Sequence, residues 1–137
     1  MELIIIALLI SLSAPLFLIP LEKILPCPYV IEEVLKLFIL LFIFRSAKNI
    51  KTNLLKWVVI AALLFTLSES IFYLVNIFAL GNIFLFPQRL LLTGTLHLGT
   101  FLLLCLVIKK NHLWLAGGLA TSILIHYFYN FYYFQQF

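Results

Sequence analysis

The side chains in this sequence that could do chemistry lie where apolar ones would be expected. Glu32, Glu33 and Lys36 fall in one apolar run, Glu69 and Tyr73 in another, Arg89 and His97 in a third, and His126 and Asn130 in a fourth. Carboxylates and imidazoles are the groups that move protons near neutral pH, and a carboxylate beside a water can act as its general base. An imidazole and an amide that face a carbonyl oxygen can stabilise a developing oxyanion. Two histidines and a glutamate are also the ligand set of a hydrolytic zinc site, here Glu69, His97 and His126, with water in the fourth position. No His-Glu-x-x-His motif is present.

Spacing groups these residues. Thr66, Glu69, Tyr73 and Asn76 step by three, four and three residues, and Arg89, Thr93, His97 and Thr100 by four, four and three. Gly118, Ser122, His126 and Asn130 recur every four. Each series is one face of an α-helix. In lipid, such polar stripes turn toward one another or toward trapped water.

Five apolar runs must position them, at roughly 3–19, 29–44, 57–80, 88–108 and 113–134. A helix rises about 1.5 Å per residue, so about 20 residues cross the hydrocarbon core. The last three runs reach that length; the first two are short and call for little tilt or local thinning. The runs lack period-2 alternation and a barrel would need many more segments, so helices are expected over strands. The 137 residues are 65% hydrophobic and 10% charged, with a mean hydropathy of +1.20. A soluble domain is about 25% charged, and a disordered chain is both polar and charged, so both classes are excluded. The expectation is an all-α, polytopic membrane helix bundle of about five transmembrane helices, a single domain over 1–137, with a polar cavity in its outer half.

The net charge of +4 reads as topology, with no nucleic-acid partner, because the cations sit in short gaps. Arg45, Lys48, Lys51 and Lys56 fill the second gap, and Lys109 and Lys110 the fourth. The positive-inside rule then puts the N-terminus inside and the C-terminus outside. Met1-Glu2 offers no basic n-region and Pro15 follows Ser13-Ala14, so the first run is read as a retained helix, not a cleaved signal peptide. Pro26 and Pro28 start the second helix near Tyr29, Gly81-Asn82 breaks the chain after the third, and Pro87 opens the fourth. Cys27 and Cys105 fall near opposite faces, on the order of 25 Å apart along the normal, too far to pair.

With this topology Glu33 and Asn130 lie about one turn below the outer surface, and His126, His97 and Glu69 about two to three turns down. Charged and unpaired, Glu32, Glu33, Lys36 and Glu69 would together cost roughly 10 kcal/mol. Pairing reduces this. Glu32 and Lys36 form an i,i+4 pair in the favoured order, and Glu33 and Lys36 an i,i+3 pair. One lysine neutralises one glutamate, leaving the other for Arg89, a histidine or a proton. Blander roles exist for each: a structural ion pair for Glu32 and Lys36, a helix-start acid for Glu33, packing for Tyr73 and His97, helix–helix contacts for His126 and Asn130. His112 reads as a solvated loop residue and Tyr127 to Phe137 as an interfacial aromatic belt.

Glu32-Glu33-x-x-Lys36 resembles the Glu-Glu-x-x-Lys motif of the PrsW family of intramembrane proteases. Glu69-x-x-x-Tyr73 is similar to its Phe-Glu-x-x-x-Tyr motif, with Ser68 in place of the Phe. Arg89 followed by His97, and His126-x-x-x-Asn130, resemble the third and fourth motifs, in the same order. That family is related to the type II CAAX prenyl endopeptidases and, more distantly, to a non-catalytic subunit of γ-secretase. The resemblance implies a helical core around a conical cavity, a bacterial or archaeal cytoplasmic membrane, and a membrane-tethered protein substrate such as an anti-sigma factor, cut outside the cytoplasm. The chain is short for the family.

On this reading Glu33 is the general base and Glu32, paired with Lys36, its orienter, with the two glutamates able to exchange roles. His97 holds or polarises the water, His126 and Asn130 face the carbonyl oxygen, and Glu69, Tyr73 and Arg89 support the cavity. The preferred form needs no cofactor. The alternatives are a zinc enzyme on Glu69, His97 and His126, and an inactive membrane scaffold of the same fold.

Overall fold

The computed structural model describes residues 2–22, 24, 27–50, 53–79 and 81–133, without the side chains of 19–22, 48–50, 75, 76 and 133. All regular structure among them is helical: α1 (Glu2–Glu22), α2 (Pro28–Ile50), α3 (Leu54–Ala79), α4 (Leu85–Val107) and α5 (His112–Tyr133). The expected elements are all present. The first two are longer than their apolar runs, because α1 continues to Glu22 and α2 runs on through Arg45 to Ile50. Arginine and lysine are good helix formers, so the helix outlasts the hydropathy that announces it.

The helix ends follow local chemistry. Pro28 is the first residue of α2, and Pro87 lies in the first turn of α4, where a missing N–H leaves no helical hydrogen bond unmade. The Asn53 side chain accepts from the Leu55 N–H (3.0 Å) and caps α3. Asn111 caps α5 in the same way, through the Trp114 N–H (3.1 Å). Gly81 follows α3 at φ 71°, a left-handed conformation that glycine adopts at no steric cost.

α2, the helix richest in ionisable groups, packs against all four others. α1 lies on α2 and α3, α4 on α2, α3 and α5, and α5 on α2 and α4. The short connections make successive helices antiparallel. An apolar core forms toward the end of the bundle that holds the α2 C-terminus, where Ile39, Leu40 and Ile43 meet Ala7, Val58, Ala61, Phe65, Phe101 and Leu104. Helical hydroxyls are satisfied locally: Ser11, Thr66, Thr95 and Thr121 each donate to the carbonyl four residues back. The outward faces are apolar, with Phe38, Leu63, Leu91, Leu106 and Phe128 exposed. α3 and α4 are each long and apolar enough to cross a membrane. Cys27 is exposed, Cys105 is partly buried, and both are free.

Candidate functional site

The polar stripes face one another. Glu33, Lys36 and His97 are fully buried, and Glu32, Thr93, Thr100, Ser122, His126 and Arg89 are buried as well. The centre is Lys36. Its ammonium donates to Glu33 Oε1 (2.5 Å) and Thr100 Oγ1 (3.0 Å), and it lies 5.5 and 5.9 Å from the ring centroids of Phe65 and Phe101. A buried cation is tolerable only with such a set of partners. The Thr100 hydroxyl in turn donates to the His97 carbonyl (3.2 Å), which ties α2 to α4.

Two carboxylate–imidazole pairs flank this centre. Glu33 Oε1 accepts from His126 Nδ1 (2.8 Å), joining α2 to α5. Glu69 Oε2 accepts from His97 Nε2 (2.5 Å), joining α3 to α4. The two imidazoles meet edge to face with centroids 5.8 Å apart. With Nδ1 donating to Glu33, the tautomer leaves His126 Nε2 free to accept a proton, and that atom lies 3.7 Å from Glu32 Oε2.

A cavity of about 340 Å³ opens against this cluster. Its polar wall is Glu32, Glu69, Tyr73, Arg89, His126 and Asn130, and its rim includes Tyr29, Tyr127 and Tyr129. The Arg89 guanidinium stacks 3.4 Å from the Tyr73 ring centroid. Thr93 and Tyr129 share a hydrogen bond of 3.0 Å across α4 and α5. The cavity thus offers two carboxylates, an imidazole, an amide and a guanidinium to one small volume, with the Lys36–Glu33 pair behind it.

Glu32, Glu33, Lys36, Glu69, Tyr73, Arg89, His97, His126 and Asn130 all lie in this cluster or line its cavity, but not always in the expected place. Lys36 pairs with Glu33, not Glu32, and Glu33 is sealed behind the wall while Glu32 faces the cavity. His97 reaches the cavity through Glu69. The Asn76 side chain and the tail beyond residue 133 lie outside the described residues. Among the described residues, the group with metal-ligand spacing is Glu32, Glu69 and His97, whose ligand atoms lie within 4.8 Å of one another. It shares Glu69 and His97 with the set expected from the sequence and takes Glu32 in place of His126.

Sequence reasoning missed Tyr129, Phe65 and Phe101. Each lies on a polar stripe: Tyr129 three residues after His126, Phe65 four before Glu69, Phe101 four after His97. Comparison with protein-family models, with curated proteins and with solved structures gave no match.

Proposed function

We propose that the chain is a polytopic membrane protein whose five helices all cross the bilayer, N-terminus inside, and that its cavity hydrolyses peptide bonds of membrane-tethered proteins. The observation that carries this reading is the cavity wall itself: Glu32, Glu69, His126, Arg89 and Asn130 gathered on one volume of an otherwise apolar bundle. A bundle that needed only stability would gain more from apolar side chains there. The four motifs that resemble the PrsW family supply these residues, and the exposed cations Arg45, Lys56, Lys109 and Lys110 gather at the opposite end, as a site in the outer half requires.

The chemistry follows from the placement. Glu32 takes a proton from a water in the cavity, and the resulting hydroxide attacks the scissile carbonyl carbon. Exposure to the cavity favours Glu32 over Glu33 as base, since Glu33 is already held by Lys36 and His126. His126 Nε2 positions the water, oriented through Nδ1 by Glu33 in the manner of an acid–base–orienter chain. The Asn130 amide and Arg89 stabilise the tetrahedral oxyanion. Glu32 then returns its proton to the leaving nitrogen as the C–N bond breaks.

Purified protein in proteoliposomes, presented with a panel of single-span peptides, tests this directly. Wild type is expected to cleave, and Glu32→Gln to lose about 10²–10⁴-fold in rate. Unchanged cleavage by Glu32→Gln would falsify the base assignment. The Glu32, Glu69 and His97 grouping favours one second reading, in which these side chains hold a zinc ion that activates the water. Stoichiometric zinc in the purified protein, with cleavage lost on chelation, selects that version.

A further inference from the structure

Far from the polar cavity, the seam between α4 and α5 opens again as a groove of about 540 Å³. Leu103 and Val107 form one wall, and Leu113, Trp114, Gly117 and Gly118 the other. The two glycines do different things. A Cβ on Gly118 would stand 2.6 Å from a Val107 methyl, so Gly118 brings the helices together. A Cβ on Gly117 would meet nothing within 4 Å, so Gly117 keeps the groove open. The Thr121 hydroxyl is turned onto the Gly117 carbonyl (2.8 Å), which leaves the groove wall apolar.

The rim of this groove is basic. Lys109, Lys110 and His112, all exposed, occupy the link between α4 and α5 and the first residue of α5. Lys109 reaches over the Phe44 ring (5.7 Å), and Lys56 lies over Trp57 (5.5 Å) at the same end. Of the five glutamates, only Glu2 belongs to this end. It is on α1, which among the described residues makes no contact with α4 or α5. The positive charge at the groove mouth is therefore not offset nearby. Trp114 (63% exposed) and Leu113 (82% exposed) stand beside it, as amphipathic and apolar side chains do at a membrane interface.

We infer that this groove binds one anionic phospholipid, its phosphate headgroup held by Lys109 and Lys110 and an acyl chain lying along Gly117 between α4 and α5. Charge complementarity selects the headgroup, and an apolar channel with no polar demand selects the chain. A free phosphate would use only the rim; a zwitterionic lipid carries its own cation beside the phosphate and so gains less from the lysines. The inference rests on the membrane reading of the chain but not on peptide hydrolysis.

Native mass spectrometry of the detergent-purified chain, titrated with phosphatidylglycerol or phosphatidylcholine, tests it. One phosphatidylglycerol is expected to bind in preference to phosphatidylcholine. Lys109→Gln with Lys110→Gln is expected to weaken it roughly 30-fold. Gly117→Leu, which fills the groove and leaves both lysines in place, is expected to abolish the adduct while helicity by circular dichroism is kept. Equal retention of the two lipids overturns the proposal. So does a phosphatidylglycerol preference that survives either variant, the second result reducing the site to a charged rim. Recovery of the chain in the soluble fraction after carbonate washing removes the membrane reading and this site together. A chain that binds the lipid as described but cleaves no peptide leaves the inference standing and removes only the protease.

Discussion

The two halves of α2 fill the same bundle interior by opposite means. In its first turns Glu33 and Lys36 are fully buried, and in its later turns so are Ile39, Leu40 and Ile43. The later turns are held by volume: their neighbours are alanines, valine, leucine and phenylalanines of α1, α3 and α4. The earlier turns are held by named pairs, Lys36 with Glu33 and Thr100, and Glu33 with His126. Packing by volume is forgiving, since a swap of similar size repacks at modest cost. Packing by pairs is not, because removing one partner leaves the other as an uncompensated buried charge. A sequence can drift in the first kind of region and is pinned in the second.

Lys36→Met is the sharpest way to break that contrast. It keeps the length of the side chain and deletes its charge, leaving Glu33 buried without its cation. We expect a loss of about 3–5 kcal/mol of stability, read as a fall in the denaturation midpoint in detergent. The double change Glu33→Gln with Lys36→Met is expected to recover most of the loss, because both charges are then gone. A single variant no less stable than the double would show that the two residues are not coupled.

In the apolar half the expected losses are smaller and depend on size. Leu104 is fully buried against the core. Leu104→Ala should cost about 2–4 kcal/mol through the cavity it leaves, and Leu104→Met less than about 1.5 kcal/mol. Neither touches the polar cavity, so any cleavage per folded molecule should be unchanged. A Met substitution as costly as Ala would mean that this region, too, is pinned.

The same contrast explains what could be read from the sequence. Five helices were legible because the apolar runs are bounded by Pro, Gly or charge and the last three reach about 20 residues, and the stripes of α3, α4 and α5 were legible because their spacing is helical. Thr66, Thr93, His97, Thr100, Ser122 and His126 are all buried, so the stripes turn inward as their spacing suggested. The end of α2 was not legible, since hydropathy stops at Phe44 while helix propensity does not. Nor was the choice between Glu32 and Glu33 as the partner of Lys36. Both spacings suit a helix, and only the rotation of α2 against α4 and α5 decides that Glu33 turns inward with Lys36 while Glu32 faces the cavity. Tyr129 was hidden because an aromatic near a helix end reads first as an interfacial anchor.

Tyr129 also gives the smallest and most discriminating prediction. It lines the polar cavity, and it lines a second, wider opening of about 750 Å³ along the α4–α5 seam, with Leu92, Gly99 and Phe128. Its hydroxyl shares a hydrogen bond with the buried Thr93. Here the two modes of packing meet: the ring is held by volume and the hydroxyl by a pair. Thr93→Val and Tyr129→Phe each remove the hydrogen bond while conserving shape, and each should cost about 1 kcal/mol. In a double-mutant cycle the two should couple by about 0.5–1.5 kcal/mol, because the second change removes a contact already lost. Additive effects would mean that the bond to Thr93 does not hold Tyr129 in place. Coupling would place it with the pinned residues, as a fixed partition between the polar cavity and the seam.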